Sequence, residues 1–473
     1  MERGRLGRSG AAVARALDRA GVIREPRLRA TVDLAWPRIV TGFAIMSKRT
    51  VDLALVGWAV GATAVAGLTL ANAYWMAAKF VAIGLAGGTI SLVSQAYGAE
   101  DDDRAALVVE TSLVLAVLLA VPTVAAFLAV PDRLIGLLGA GDAATGHGAT
   151  YLAVVAPGLL FEFLNLIASR TYAGVGDTRT PMVVRAGGAA LNVALSVLLV
   201  FGAGLGVVGA ALGTTLSTAA VAAVFAWGMS GRSYFGRGAS PISPTRSGPH
   251  VDRGLVRDLA RVSAPLVGKR LAGGLVVFPL LAIAALFGDV AVAAVGVARQ
   301  VRALLNSFNW GFSIAASTLV GQRLGAEDES EAEAYGREIV RLSGLVYAVS
   351  AVLVAVFAVP VARLFGEGGA DPTTVTLVRA AGLSLVPLGI SGSVDGALRG
   401  AGDTRVPFLA SLVGFYVVGL PVAYLGTLTP LSVTALALSL VASAVVPAAV
   451  NLWWFRGGHW KAVSRELRAS AGD

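Results

Sequence analysis

Apolar residues in this chain come in long unbroken blocks and do not alternate with polar ones. The stretches "SLVLAVLLAVPTVAAFLAV" (112–130) and "LSLVASAVVPAAVNLWWF" (438–455) each approach the roughly 20 residues a helix needs to cross a bilayer. Blocks of this kind, separated by charge or by Gly and Pro, predict twelve helices. They fall near 34–57, 64–95, 104–130, 149–171, 180–203, 206–229, 259–287, 290–322, 335–359, 376–398, 405–426 and 431–455. The expected fold class is an all-α integral membrane protein with twelve transmembrane helices.

The pattern repeats. "GVGDTRTP" (174–181) returns as "GAGDTRVP" (400–407), and "SQAYGAEDDD" (94–103) returns as "GQRLGAEDES" (321–330). Residues 61–101 align without a gap on 288–328, pairing Gly61 with Gly288, Gly84 with Gly311, Gln95 with Gln322 and Asp101 with Asp328. The repeated unit is therefore half the protein. This predicts a basic N-terminal arm (1–30), a six-helix bundle (31–229), a linker (230–256), a second six-helix bundle (257–456) and a tail (457–473). Six spans is an even number, so both halves run through the membrane in the same sense, and a site between such halves lies near the midplane. The repeated phrase itself reads as a turn: Gly for a tight reversal, Asp to bond its own backbone, Pro to open the next helix. A phosphate loop would need a preceding strand and a Lys after the glycines.

Composition agrees with burial in lipid. Apolar residues make up 56% and charged ones 14%, against about a quarter charged in soluble domains. The chain has no cysteine, which excludes disulfides, thiolate metal sites and Cys nucleophiles. His147, His250 and His459 sit in polar or connecting segments, away from any intramembrane relay. Most Lys and Arg outside the spans fall on one set of connections, and the other set holds only Arg133, Arg363 and Arg379. That bias places both termini in the cytoplasm. The Arg-rich arm, "MERGRLGRSGAAVARALDRAGVIREPRLRA", reads as a segment held near anionic headgroups; it lacks the aromatic interleaving expected of a nucleic-acid binder.

At this point the sequence resembles a known family. "VDLALVGWAVGATAVAGL" (51–68), "SQAYGAED" (94–101), "AGVGDTRTP" and "LRGAGDTRVP" are similar to the multidrug and toxic compound extrusion transporters, within the multidrug/oligosaccharidyl-lipid/polysaccharide exporter superfamily. The resemblance covers about 34–455. It implies two pseudo-symmetric bundles around a V-shaped central cavity in the plasma membrane. It also implies outward export of small organic molecules driven by inward H+ or Na+, with no cofactor beyond that ion.

Ionisable residues within the spans carry the chemistry, because each is costly in hydrocarbon, ~2.5 kcal/mol or more at the bilayer centre. Asp52 lies fifteen residues after Pro37, a spacing similar to the family's span-1 acid, which takes part in cation coupling; Pro37 could bend that helix. A second reading is an ion pair with Lys48 and Arg49, on the same helical face. The resemblance adds Asn192 and Thr214 to the coupling set, and puts Ser196 where the family's Na+ site has a second acid. One carboxylate among neutral oxygens suits a proton better than Na+. Across the deep positions, Lys48, Arg49, Lys79, Lys269, Arg270, Arg299 and Arg302 outnumber Asp52, Glu162 and Asp395. This surplus predicts a cavity that accepts anions; snorkelling of some cations to the interface, Arg299 first, is the alternative. Asn72, Tyr74, Trp75, Asn306, Asn309 and Trp310 are candidate pocket groups. The expected partners are a small organic substrate and membrane lipid, with the monomer as the working unit. A flippase for a lipid-linked phosphorylated or saccharide intermediate is the alternative function. No Ser/His pair, metal-ligand cluster or "GxxxxGK[ST]" motif supports an enzyme or a nucleotide-driven pump.

Overall fold

A computed structural model describes residues 8–139, 141–233, 240, 242–243, 252–365 and 369–469. Most of the expected linker, with His250, and the outermost residues of the arm and tail lie outside this set. The described residues are helical nearly throughout. The helices are α1 (Arg8–Arg19), α2 (Glu25–Ala59), α3 (Ala62–Gly98), α4 (Asp102–Ala129), α5 (Pro131–Gly136), α6 (Asp142–Gly174), α7 (Arg179–Val197) and α8 (Gly206–Met229). They continue with α9 (Arg253–Leu275), α10 (Val277–Ala285), α11 (Asp289–Gly325), α12 (Glu329–Val356), α13 (Ala358–Phe365), α14 (Pro372–Gly400), α15 (Arg405–Leu412), α16 (Leu420–Leu428), α17 (Thr434–Arg456) and α18 (His459–Ala469).

Ten helical segments among the described residues are long and apolar enough to span a membrane; some join two elements, as α9 joins α10 in Arg253–Ala285. The two remaining long helices, α2 and α11, fall short: α2 carries Lys48, Arg49 and Asp52 close together, and α11 carries Arg299 and Arg302 followed by Asn306 and Asn309. The short helices α5 and α13, which follow α4 and α12, were not anticipated. Each is too short to leave a period in the sequence.

The repeat is written into the backbone. Gly61 and Gly288, which precede α3 and α11, have φ of 114° and 94°, a region open to Gly at little cost. Glu100 and Glu327 share a left-handed φ of 58° and 60°. The next residue caps a helix in each half: Asp101 accepts from Arg104 N at 2.9 Å and Asp328 from Glu331 N at 3.0 Å. The repeated phrase is a turn in both places. Gly176 and Gly402 take positive φ, Asp177 accepts from Thr180 N at 2.9 Å, and Asp403 accepts from Trp454 Nε1 at 2.7 Å.

The contacts form two compact units, Pro37–Val267 and Met1–Trp36 with Gly268–Asp473. These limits differ from those read in the sequence, because α2 and α9 each contribute to both units. In the first unit, α3 and α6 pack around Leu68, Leu152, Leu159, Phe163 and Ile167. In the second, α14 lies against α11 through small residues, as close helix packing in lipid requires. Gly392, Gly396 and Gly400 face Asn309, Ser313 and Ser317. A Cβ on Gly396 would stand 2.3 Å from the Ser313 carbonyl oxygen. Gly396→Leu is therefore expected to prevent assembly of this unit. The check is recovery of monodisperse protein by size exclusion; wild-type recovery would contradict the packing.

The described part of the N-terminal arm, from Arg8, is docked, not loose. Ala14, Ile23 and Leu28 join Leu319, Tyr335 and Ile339 in one core of the second unit. Arg27, which was expected to face headgroups, instead gives a two-pronged bond to Glu331 (Nε 3.0 Å, Nη2 2.6 Å) and a further one to Glu338. Arg15 and Arg19 remain exposed. The Arg27 hydrogen bonds hold the Glu331 carboxyl below its usual range. A depressed carboxyl stabilises the fold above the ordinary carboxylate pKa, about 4.3, and that contribution is lost as pH falls through the lowered value. Hydrogen exchange across residues 10–23 should accordingly stay slow near neutrality and accelerate below about pH 4. Arg27→Ala should accelerate it near neutrality and make little further difference once Glu331 is protonated, and exchange indifferent to both would remove this account of the arm.

Candidate functional site

Two polar clusters lie inside the first unit. The first centres on Asp52, which is 6% exposed on α2. Its Oδ1 accepts from Ser196 Oγ at 3.0 Å and its Oδ2 from Thr214 Oγ1 at 3.3 Å. The Asn192 amide stands 3.2 Å from Asp52 Oδ1 and 3.1 Å from Thr214 Oγ1. Turned so that both of its atoms are satisfied, that amide donates to the carboxylate and accepts from the Thr214 backbone N–H at 3.2 Å. Asn192 and Ser196 are one turn apart on α7 and Thr214 is on α8, so three helices converge on one acid. All four residues expected to form the coupling set are brought together. Their donors are neutral.

The second cluster is a hub on Glu162 of α6. Its Oε1 accepts from Lys79 Nζ of α3 at 2.7 Å and from Arg185 Nη2 of α7 at 2.8 Å. All three line a cavity of about 120 Å3, together with Lys48 and Thr214. Lys48 makes no ion pair within 4 Å among the described residues, so the Lys48–Asp52 bridge weighed from the sequence is not formed. Lys48 turns into the cavity and Asp52 into the hydroxyl node. Arg49 lies on α2, but its side chain is outside the described set. Thr214 belongs to both places: it lines the cavity and donates to Asp52.

The second unit has its own charge pair. Lys269 of α9 bonds Asp395 of α14, and Asn451 Nδ2 of α17 donates to Asp395 Oδ1 at 2.7 Å. Arg399 crosses to α11 and donates to the Ser313 carbonyl at 2.9 Å. Arg270 forms no ion pair among the described residues. Arg299, Arg302 and Asn306 line a separate cavity of about 320 Å3. Of the other candidates, Asn72 and Trp75 border the first cavity. Tyr74 is structural, donating to the Leu134 carbonyl at 2.5 Å, and Asn309 donates to Asn306 Oδ1 at 3.1 Å. Trp310 borders neither cavity. Pro37 lies within α2, at the boundary between the units.

Arg185, Arg399 and Asn451 were not among the residues singled out from the sequence. The two arginines stand close to the "GDTR" turns. Arg185 does have a signal: it is one turn past Pro181, inside the helix that Pro opens.

Long apolar helices with charges buried among them define a multi-pass membrane transporter. The chain belongs to the MatE family, whose profile matches residues 37–198 and 276–425. It is 30% identical over 420 residues to the probable multidrug resistance protein NorM of Bradyrhizobium diazoefficiens, covering 83% of this chain and 85% of that one. It is 27% identical over 410 residues to the multidrug resistance protein NorM of Burkholderia vietnamiensis, covering 83% and 86%. Among solved structures, it matches a MATE in the bent conformation at TM-score 0.85 and 23% identity, covering 93% of this chain and 97% of that one. A MOP superfamily transporter from Pyrococcus furiosus, described as having a binding pocket of reverse polarity, matches at TM-score 0.84 and 23% identity, covering 92% and 96%.

Proposed function

We propose that this protein is a secondary active antiporter that exports small organic compounds from the cytoplasm in exchange for inward H+. It works as a monomer in the plasma membrane, with both termini cytoplasmic. The names of its relatives support multidrug efflux, and one observation carries the choice of ion. Asp52 is a lone buried carboxylate held by Ser196, Thr214 and Asn192. Na+ is a hard cation that seeks several oxygens with matching charge, whereas a proton needs a single carboxylate oxygen.

Protonation converts Asp52 from a pure acceptor into a donor. The hydroxyls that point at it must then turn or release it. Because Asp52 sits one turn from Lys48, a shift of α2 moves the node and the cavity wall together. This gives the proton leverage on the shape of the substrate path, as alternating access requires.

The test is transport in proteoliposomes under a pH gradient without Na+, then under a Na+ gradient without a pH difference. Export under the first condition alone is expected, and export under the second alone would overturn the proton assignment. Ser196→Asp supplies a second carboxylate to the node. It is expected to introduce Na+-dependent flux that the wild type lacks; a variant still blind to Na+ would show that Ser196 does not decide the ion.

A further inference from the structure

Arg299 and Arg302 have no carboxylate of the described residues within ion-pair distance. They are three apart on α11, so they share a face, about 15 and 20 Å of helical rise from its first residue. Three other deep cations are matched with acids: Lys79 and Arg185 share Glu162, and Lys269 bonds Asp395. The Arg299 and Arg302 side chains line the larger cavity, about 320 Å3, with Asn306, Ser439 and Ser443 as its neutral polar groups. The rest of the lining is mainly apolar, including Val277, Leu280, Leu388 and Phe415. Its wall also includes two helix irregularities, the α9–α10 junction at Val276 and the π turn Val413–Gly419. Broken helical geometry in a membrane protein is tolerated where it lines a cavity, and π turns are frequent at functional sites. Tyr416 fixes this wall by donating to the Ala272 carbonyl at 2.9 Å.

We infer that this cavity is a binding site for an amphiphilic organic oxyanion, with its phosphate or carboxylate on Arg299 and Arg302 and its apolar body against Leu280, Leu388 and Phe415. Two guanidinium groups on one face can each donate two parallel hydrogen bonds to an oxyanion, which matches charge and geometry together. An organic cation would meet two like charges with no acid to offset them. The inference rests on the export reading above, whose substrate class it supplies, but it concerns the unit that lacks Asp52.

The experiment is equilibrium binding of hexyl phosphate and of hexyltrimethylammonium to the full chain in nanodiscs of phosphatidylcholine alone. Hexyl phosphate should bind saturably and the ammonium should not. Arg302→Gln and Arg299→Gln should each weaken hexyl phosphate about tenfold, while Arg302→Lys, which keeps the charge, should lose less. Equal binding of the ammonium would overturn the inference, as would unchanged hexyl phosphate affinity in both Gln variants when they elute like wild type. Asp52→Asn separates the two readings, since it should abolish proton-driven export and leave hexyl phosphate binding intact. Counterflow of hexyl phosphate in proteoliposomes would identify the anion as cargo. Competition by added phosphatidylglycerol without counterflow would identify it as a resident lipid, with the same oxyanion chemistry at the arginines.

Discussion

Asp52→Asn is expected to uncouple transport from the proton gradient while leaving the protein folded and able to exchange substrate. The amide keeps the shape of the side chain and can still accept hydrogen bonds from Ser196 and Thr214. It cannot take up a proton near neutral pH. One pH unit is worth about 1.4 kcal/mol per proton, which supports roughly tenfold substrate accumulation for one-for-one exchange. That energy enters only through a group that changes its protonation during the cycle. Wild-type vesicles should therefore accumulate substrate about tenfold per pH unit, and Asp52→Asn vesicles should not exceed equilibrium. Counterflow driven by substrate alone should survive in the variant. Undiminished accumulation in Asp52→Asn would place the coupling proton elsewhere.

Glu162→Ala is expected to be the most damaging single change to stability in the first unit. The acid is 6% exposed and accepts from two cations through one oxygen. Removing it leaves Lys79 and Arg185 facing each other across a cavity with no counter-charge. Breaking a buried ion pair from one side costs about 3–5 kcal/mol, because the remaining charge has lost both water and partner. Replacing the whole cluster with apolar groups of similar volume can be near neutral. Glu162→Ala should therefore unfold at markedly lower denaturant in chemical denaturation, and adding Lys79→Met should recover part of the loss. A single variant as stable as wild type, or a double variant less stable than the single, would contradict the hub.

Much of this was legible in the sequence. The helices could be read because hydrocarbon demands long apolar runs, and the repeat because Gly61 and Gly288, or Asp101 and Asp328, do the same backbone work twice. The four residues of the Asp52 node were chosen by resemblance to the family, and the structure places them in contact. Pairings between distant segments were less visible. Arg185 went unmarked because nothing in "TPMVVRAGG" says that Glu162 lies behind it. Asn451 stood alone in an apolar run, although its partner Asp395 is 56 positions away. The docking of the arm was hidden for the same reason: Arg27 carries no mark of Glu331, some 300 residues later. The reading of Lys48 as a partner of Asp52 followed a sound helical rule, but rotamers turned the two side chains to different neighbours. The surplus of cations was foreseen as a property of the whole cavity. The structure divides it, matching Lys79 and Lys269 with acids and leaving Lys48, Arg270, Arg299 and Arg302 without an ion pair among the described residues.

The central claim is that Asp52 gains and loses the coupling proton. Infrared difference spectroscopy on the reconstituted protein, acid minus neutral, reads the carbonyl stretch of a protonated carboxylic acid directly. A band should appear on acidification, diminish when substrate is supplied at the same pH, and be missing from Asp52→Asn. A band that persists unchanged in Asp52→Asn would show that another acid carries the proton, and the account of the node would fall with it.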